Sequence, residues 1–289
     1  IKRTISINLL CDKIKVINMD KERNKFYITN QILEFNGIKC ERSIGVDGQN
    51  QDILNYFDNY NKISFNETEK NLKRKEIVSA GAIGYLHSMI NIFKEAIINN
   101  YEYILVFDDD IKIINNFQNK FNDLLKDINY KFRILMLGSS QWEWNNIKFK
   151  KNYYYPDSNS NGSFANIYHR STFDNIYNNI IKLNSPFDSL PMKINFKYNF
   201  CYVAYPNLII AQLEKSNIRK INNNNRNYER FRWDNNLYLS HEHINLKKSK
   251  IVYKKINNRL NKKLFIIGIT TFNGIQYLKE CITSLLKYL

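Results

Sequence analysis

Residues 103–113 read YILVFDDDIKI, an apolar run that ends on three adjacent carboxylates, Asp108, Asp109 and Asp110. Neighbouring carboxylates repel one another and lose hydration when drawn into a cleft, so something positive should compensate them. Either the three splay into water as a solvated loop, or they hold a cation. A metal–diphosphate site needs two hard oxygen donors on one short rigid segment, with other coordination positions left for phosphate oxygens. Asp108 and Asp110 are one residue apart, so on an extended backbone their side chains fall on one side. Asp109 then points away, toward a sugar hydroxyl or a basic neighbour.

The chain that carries this triplet is otherwise basic, with 43 Lys+Arg against 27 Asp+Glu and a formal net charge of +16 over 289 residues. Such a charge attracts anions: nucleic acid, membrane lipid or a phosphate-bearing substrate. The cations are spread out. Their densest run, 247–263 (KKSKIVYKKINNRLNKK), reads as a solvated linker or surface face. Nothing resembles a nucleic-acid-binding fold, and nucleic acid is not expected as a partner. The four cysteines, Cys11, Cys40, Cys201 and Cys281, form no CxxC pair, which argues against a structural zinc site or a disulfide framework. No apolar span reaches transmembrane length and no signal peptide is visible, so the expectation is a cytoplasmic or non-secreted protein. A homo-oligomer is left open.

The elements that must position the aspartates follow from periodicity. A strand fits Ile14 to Met19, a helix with Phe26, Ile28, Ile32, Leu33 and Phe35 on its apolar side stops at Gly37, and a second strand ends near Val46-Asp47-Gly48. Residues 49–75 are polar and read as irregular. Ser79 to Asn100 is the clearest helix, with Ser79 as its cap. Further buried strands are expected at Arg133–Leu137 and Leu208–Leu213. Strands alternating with helices imply an α/β fold, a mostly parallel sheet covered by helices on both faces, with ligands at the carboxyl ends of the strands. The aspartates sit at such an end.

Six blocks in order then resemble glycosyltransferase family 25: VINMDKERNKF (16–26), GIKCERSIGVDG (37–48), SAGAIGYLHSM (79–89), YILVFDDD (103–110), GSFANIY with PFDSLPMKI (162–168, 186–194), and PNLIIAQLEKSNIRK (206–220). Gly81, Gly84 and Ser88 fit the family's third block, whereas Tyr85 stands where Cys is usual and Met89 where His is usual; His87 lies two positions earlier. The resemblance implies a GT-A (Rossmann-like) fold, a UDP-sugar donor and Mn²⁺ or another divalent cation held by Asp108 and Asp110. It also implies roles for Gln212, Ser216 and Arg219 in the closing block.

Loss of UDP requires neutralisation of the leaving diphosphate, for which Arg219, Arg23 and Lys220 are candidates beside the cation. Asn18 and Asp20, at the end of the first strand, would sit at the uridine or ribose. Asp188, between Phe187 and a Pro-containing turn, is the candidate general base for an inverting transfer. An imidazole ligand could come from His241 or His243 (SHEH), and Trp142 and Trp144 (QWEW) could stack on a sugar ring or pack in the core. Among the acceptors that the resemblance implies, a hydroxyl on a glycan such as lipopolysaccharide and one on a collagen-like protein (hydroxylysine or galactosyl-hydroxylysine) are both open. Residues 264–289 (Thr270, Thr271, Asn273, Ser284, Leu285 and Leu286) resemble the start of a family 2 glycosyltransferase. The expected organisation is a transferase domain over 1–246, a basic linker over 247–263, and a strand–helix unit over 264–289. One other reading competes, a catalytically silent glycan- or partner-binding module of the same fold; a nucleic-acid binder is prompted by the charge alone.

Overall fold

The structure, a computed structural model, describes residues 5–62, 77–212 and 226–239. A short helix α1 (Ile7–Leu10) leads into β1 (Lys13–Asn18), helix α2 (Arg23–Phe35) and β2 (Glu41–Ile44). Helices α3 (Gln51–Lys62) and α4 (Ala80–Ile98) come next, then β3 (Tyr103–Asp108), β4 (Ile111–Ile114), α5 (Phe117–Asp127) and β5 (Ile134–Met136). The two-residue strands β6 (Ser140–Gln141), β7 (Tyr153–Tyr154) and β8 (Ser160–Asn161) precede β9 (Ala165–His169), α6 (Phe173–Ile180) and α7 (Leu190–Lys193). The described part closes with β10 (Cys201–Ala204), β11 (Ile209–Ala211), α8 (Arg226–Arg230) and β12 (Tyr238–Leu239). By its contacts the chain divides into Ile1–Ile244 and Asn245–Leu289. Everything below concerns the first unit, and the expected linker and strand–helix unit lie outside the described residues.

Seven strands form the central sheet in the order β2-β1-β3-β9-β5-β10-β7. The pairs β2/β1, β1/β3 and β5/β10 are parallel; β9 runs antiparallel between β3 and β5, and β7 antiparallel to β10. The fold is therefore the expected mixed α/β sheet, mostly of one strand direction. Strand β3 shows why its sequence reads as one apolar run. Leu105 and Phe107 face the core layer that α2 and α5 cover, and Ile104 and Val106 face the layer under α4 and α6. All four are at most 1% exposed, so each contributes roughly 2 kcal/mol of burial.

The caps agree with the residues that signal them. The Ser79 hydroxyl accepts from Ala82 N–H at 3.2 Å to open α4, and Gly37, at φ +74°, turns the chain out of α2. Residues 51–62 correct one expectation. They are helical, not irregular, because Ile53, Leu54, Phe57 and Tyr60 recur at helical spacing and pack against the α4 layer. The Asn50 side chain accepts from Asp52 N–H at 2.9 Å at the start of this helix. Its Asn-rich polar face hides the pattern in the sequence.

The buried strand expected from Leu208 onward is present over Ile209–Ala211, but not in the main sheet. This strand, β11, pairs antiparallel with β4 in a separate three-stranded sheet, β11-β4-β12. The bend at Asp109–Asp110 carries β4 out of the main sheet, and β11 supplies its partner. The two sheets touch at Gly138: Leu137 C=O accepts from Leu208 and Ile209 N–H at 2.7 and 3.1 Å, and a Cβ on Gly138 would lie 1.8 Å from the Ile209 carbonyl oxygen. Among the described residues no helix is long and apolar enough to cross a membrane.

Candidate active site

The acidic triplet sits at the carboxyl end of β3, where the central sheet hands over to the small one. Three bonds from three elements brace its backbone: Asp108 N–H donates to Phe164 C=O (3.0 Å), the Thr29 hydroxyl of α2 donates to Asp109 C=O (2.7 Å), and Gln212 N–H donates to Asp110 C=O (2.6 Å). The turn is therefore held in place and does not splay as a solvated loop.

Strand parity sorts the side chains. Asp108 continues the face of Ile104 and Val106 and meets α4, where the Tyr85 hydroxyl donates to its Oδ1 at 3.1 Å. Asp109 turns to the α2 side, and its Oδ2 accepts from the Asn18 amide. All three side chains keep partial solvent access, yet protein crowds them closely enough that burial dominates their titration. Burial first, then the charge of Asp110, pushes the Asp108 carboxyl well above the usual range. Asp110 is pushed up to about 6 by burial and by Asp109, against a weaker pull from Lys25. Burial also raises Asp109, which the Asn18 hydrogen bond opposes. Burial and the neighbouring Asp108 push the Tyr85 phenol up as well, so it remains a donor.

This concentration of carboxylates suits a divalent cation. Hard oxygen donors are what Mg²⁺ or Mn²⁺ prefers, and a doubly charged ion would remove the repulsion that raises Asp108 and Asp110. Among the described residues no group of three or more His, Cys, Asp or Glu side chains is placed to hold a metal ion, so Asp108 and Asp110 stand as candidate ligands on the strength of their own oxygens.

Asp188 faces the triplet from the segment before α7. Its Oδ2 accepts from Gly162 N–H at 3.2 Å, and its charge reaches Asp108 and Tyr168. On the other side lies a chain of polar contacts. Asn18 Nδ2 donates to Asp109 and to Glu22 C=O (2.9 Å), Asn18 Oδ1 accepts from Arg42 Nε (2.8 Å), and Asp20 Oδ1 accepts from Arg42 and Arg23, each at 2.9 Å. Arg42 and Arg23 hold the Asp20 carboxyl below its ordinary range. Beside this chain, the Val46-Asp47-Gly48 loop nests on the start of α4. A Cβ on Gly48 would come within 2.6 Å of Gly81, one on Gly84 within 2.5 Å of Val46 C=O, and the Ser88 hydroxyl accepts from Val46 N–H at 2.8 Å. Gly81, Gly84 and Ser88 thus form a notch for that loop.

Residues 11–187, more than half of the chain, match the sequence model of glycosyltransferase family 25 (LPS biosynthesis protein). The chain belongs to glycosyltransferase family 25. Its role is accordingly glycosyl transfer. Among solved structures, a glycosyltransferase involved in the glycosylation of the major capsid of PBCV-1 is similar, with 11% identity, a TM-score of 0.39, and coverage of 81% of this chain and 98% of that one. No curated protein matches.

The family 25 chain brings most of the residues expected at its site into one place. Asp108, Asp109, Asp110, Asp188 and Gln212 surround the end of β3, and Asn18, Asp20 and Arg23 line the adjoining network. Ser216, Arg219, Lys220, His241 and His243 lie outside the described residues, as does the family 2-like segment, and the family match ends before all of them. Trp142 and Trp144 are taken up by packing. Trp142 stands edge-on to Phe231 with Arg230 over it (4.5 Å), and Trp144 stacks on Phe149, donates to Arg230 C=O (2.8 Å) and carries Arg232 on its face (4.5 Å). Met89 is wholly buried in the core. Sequence reasoning missed Arg42. Its position inside the family-like block GIKCERSIGVDG was visible, but only the parallel pairing of β2 with β1 puts its guanidinium on Asn18.

Proposed function

We propose that this family 25 protein transfers a hexosyl group from a UDP-sugar to a hydroxyl acceptor, with a divalent cation such as Mn²⁺ held by Asp108 and Asp110. The observation that carries the reading is the braced acidic turn, with repelling carboxylates at the carboxyl end of a central strand and a further carboxylate, Asp188, facing them.

The cation, when bound, supplies charge neutralisation for the departing diphosphate. The chain's own residues do the remainder. Asp108 and Asp110 are fixed by β3 and by the bond from Gln212, so they need no reorganisation when charge develops. The Asn18–Arg42–Asp20–Arg23 network offers a preformed polar edge for the ribose or uracil, and Arg23, exposed at its rim, offers positive charge. In an inverting transfer, Asp188 accepts the proton of the acceptor hydroxyl as that oxygen attacks the anomeric carbon and the carbon–oxygen bond to UDP breaks. The acceptor is a hydroxyl of a collagen-like protein or of a glycan such as lipopolysaccharide.

A panel of UDP-hexoses, incubated with Mn²⁺ and with collagen-like peptides or glycans, should show UDP release and a glycosylated product that chelator abolishes. Wild-type protein with no turnover on any UDP-hexose would favour a silent binding module instead. Within the same assay, Arg42→Ala should raise KM for the donor about tenfold with a smaller change in kcat, because it removes charged hydrogen bonds that order Asn18 and Asp20. An unchanged KM would remove this network from donor binding.

A further inference from the structure

The phenol of Tyr85 stands at the meeting point of the two acidic groups. On one side its hydroxyl donates to Asp108 Oδ1 at 3.1 Å, and on the other the Ser163 side chain lies beside the same oxygen. Ser163 directly follows Gly162, whose N–H holds Asp188 at 3.2 Å. The ring is fixed by an edge contact to Phe187 at 6.1 Å, and Phe187 precedes Asp188 in the chain. One side chain on α4 therefore touches the end of β3, the turn before β9 and the segment carrying Asp188.

Packing alone does not account for the hydroxyl, since a phenylalanine would make the same edge contact with Phe187. A carboxylate at a strand end retains freedom about two side-chain torsions, and a donor on one oxygen removes it. Because the Tyr85 donor comes from the rigid, capped helix α4, the direction it imposes is set by the fold and not by a mobile loop.

We propose that Tyr85 is a positioning residue that occupies one oxygen of Asp108 and so presents the other to the donor complex. The inference rests on the functional reading above, that Asp108 serves a cation-bound UDP-sugar. It deepens that reading by giving the departure at position 85 a role: the chain holds its acidic turn from α4 by a phenol.

The test compares wild type with Tyr85→Phe, titrating MnCl₂ calorimetrically in the presence of UDP and measuring hexosyl transfer across a range of manganese. Loss of one hydrogen bond to a charged group should weaken manganese binding about tenfold. Excess manganese should then restore kcat to within about threefold of wild type, since a misplaced ligand is rescued by mass action while damaged chemistry is not. Equal manganese affinity in the two proteins would overturn the proposal, as would a kcat deficit that excess manganese leaves in place. Wild-type protein that binds no manganese overturns the parent reading and this one with it, whereas tight binding in wild type with no change in Tyr85→Phe overturns this one alone. Should Tyr85→Phe fail to fold, Ser163→Ala decides: the proposal expects weaker manganese binding in it, and unchanged affinity refutes it.

Discussion

Asp110→Asn is expected to raise the melting temperature of the metal-free protein while lowering hexosyl transfer at least about a hundredfold. The two effects have one origin. In the unfolded chain this carboxyl titrates near 3.8, and burial with the neighbouring Asp109 moves it to about 6 in the fold. Between those values the folded form keeps a proton that the unfolded form has released. Stability therefore falls as pH rises across that window, and the full penalty stands above about 6. The neutral amide avoids it. After allowance for partial solvent access, the gain at pH 7.5 is roughly 2 kcal/mol, or about 4–8 °C in Tm for a domain of this size. Calorimetry in chelator at a series of pH values reads it directly: the variant's advantage should vanish below about pH 4 and be complete by about pH 7. A variant no more stable than wild type at pH 7.5 would mean that Asp110 is not under electrostatic stress.

Gly138→Ala carries the largest expected loss of stability. The added methyl would lie 1.8 Å from Ile209 C=O and 3.0 Å from its carbonyl carbon, so backbone and not a flexible side chain must give way. Ile209 cannot retreat easily, because its own N–H and that of Leu208 are bonded to Leu137 C=O while β11 is paired with β4. A cost of about 4 kcal/mol, or roughly 10 °C in Tm, follows for overpacking against fixed backbone. The damage should reach the site as well, since Gln212, one residue past β11, braces Asp110. Transfer by the folded fraction should therefore drop too. A variant melting within about 2 °C of wild type would show that the two sheets can slide apart at little cost.

How much the sequence discloses differs from element to element, for physical reasons. Strand β3 and its aspartates are legible because a strand covered on both faces must be apolar throughout, so the first charged residues mark its end. Helix α4 is legible from a serine cap and a long periodic apolar face. Helix α3 is not, since four apolar residues among asparagines give a weak pattern that becomes decisive only when α4 is there to receive it. Strand β9 is visible as a family-like block but not as a reversed strand, because direction is a property of pairing and leaves no mark on composition. The acidic site follows the same division. Which carboxylates matter is written locally in the chain. The partners that hold them, Tyr85 on Asp108, Thr29 on Asp109, Arg42 on Asp20 and Gln212 on Asp110, come from sequence distances of 23, 80, 22 and, for Gln212, about a hundred residues, and only the fold assembles them.

The reversed strand between β3 and β5 also dictates an order of events during synthesis. As the nascent chain leaves the ribosome, β3 emerges some sixty residues before the β9 strand that must flank it, and about a hundred before the Gln212 amide reaches Asp110. Until then the β9-facing edge of β3 is unpaired, and the three aspartates have only the contacts offered by the earlier Asn18, Thr29 and Tyr85. A translational pause inside residues 110–165 would leave this transferase with a sticky, unfinished sheet, which makes that interval the stretch where a chaperone has most to offer.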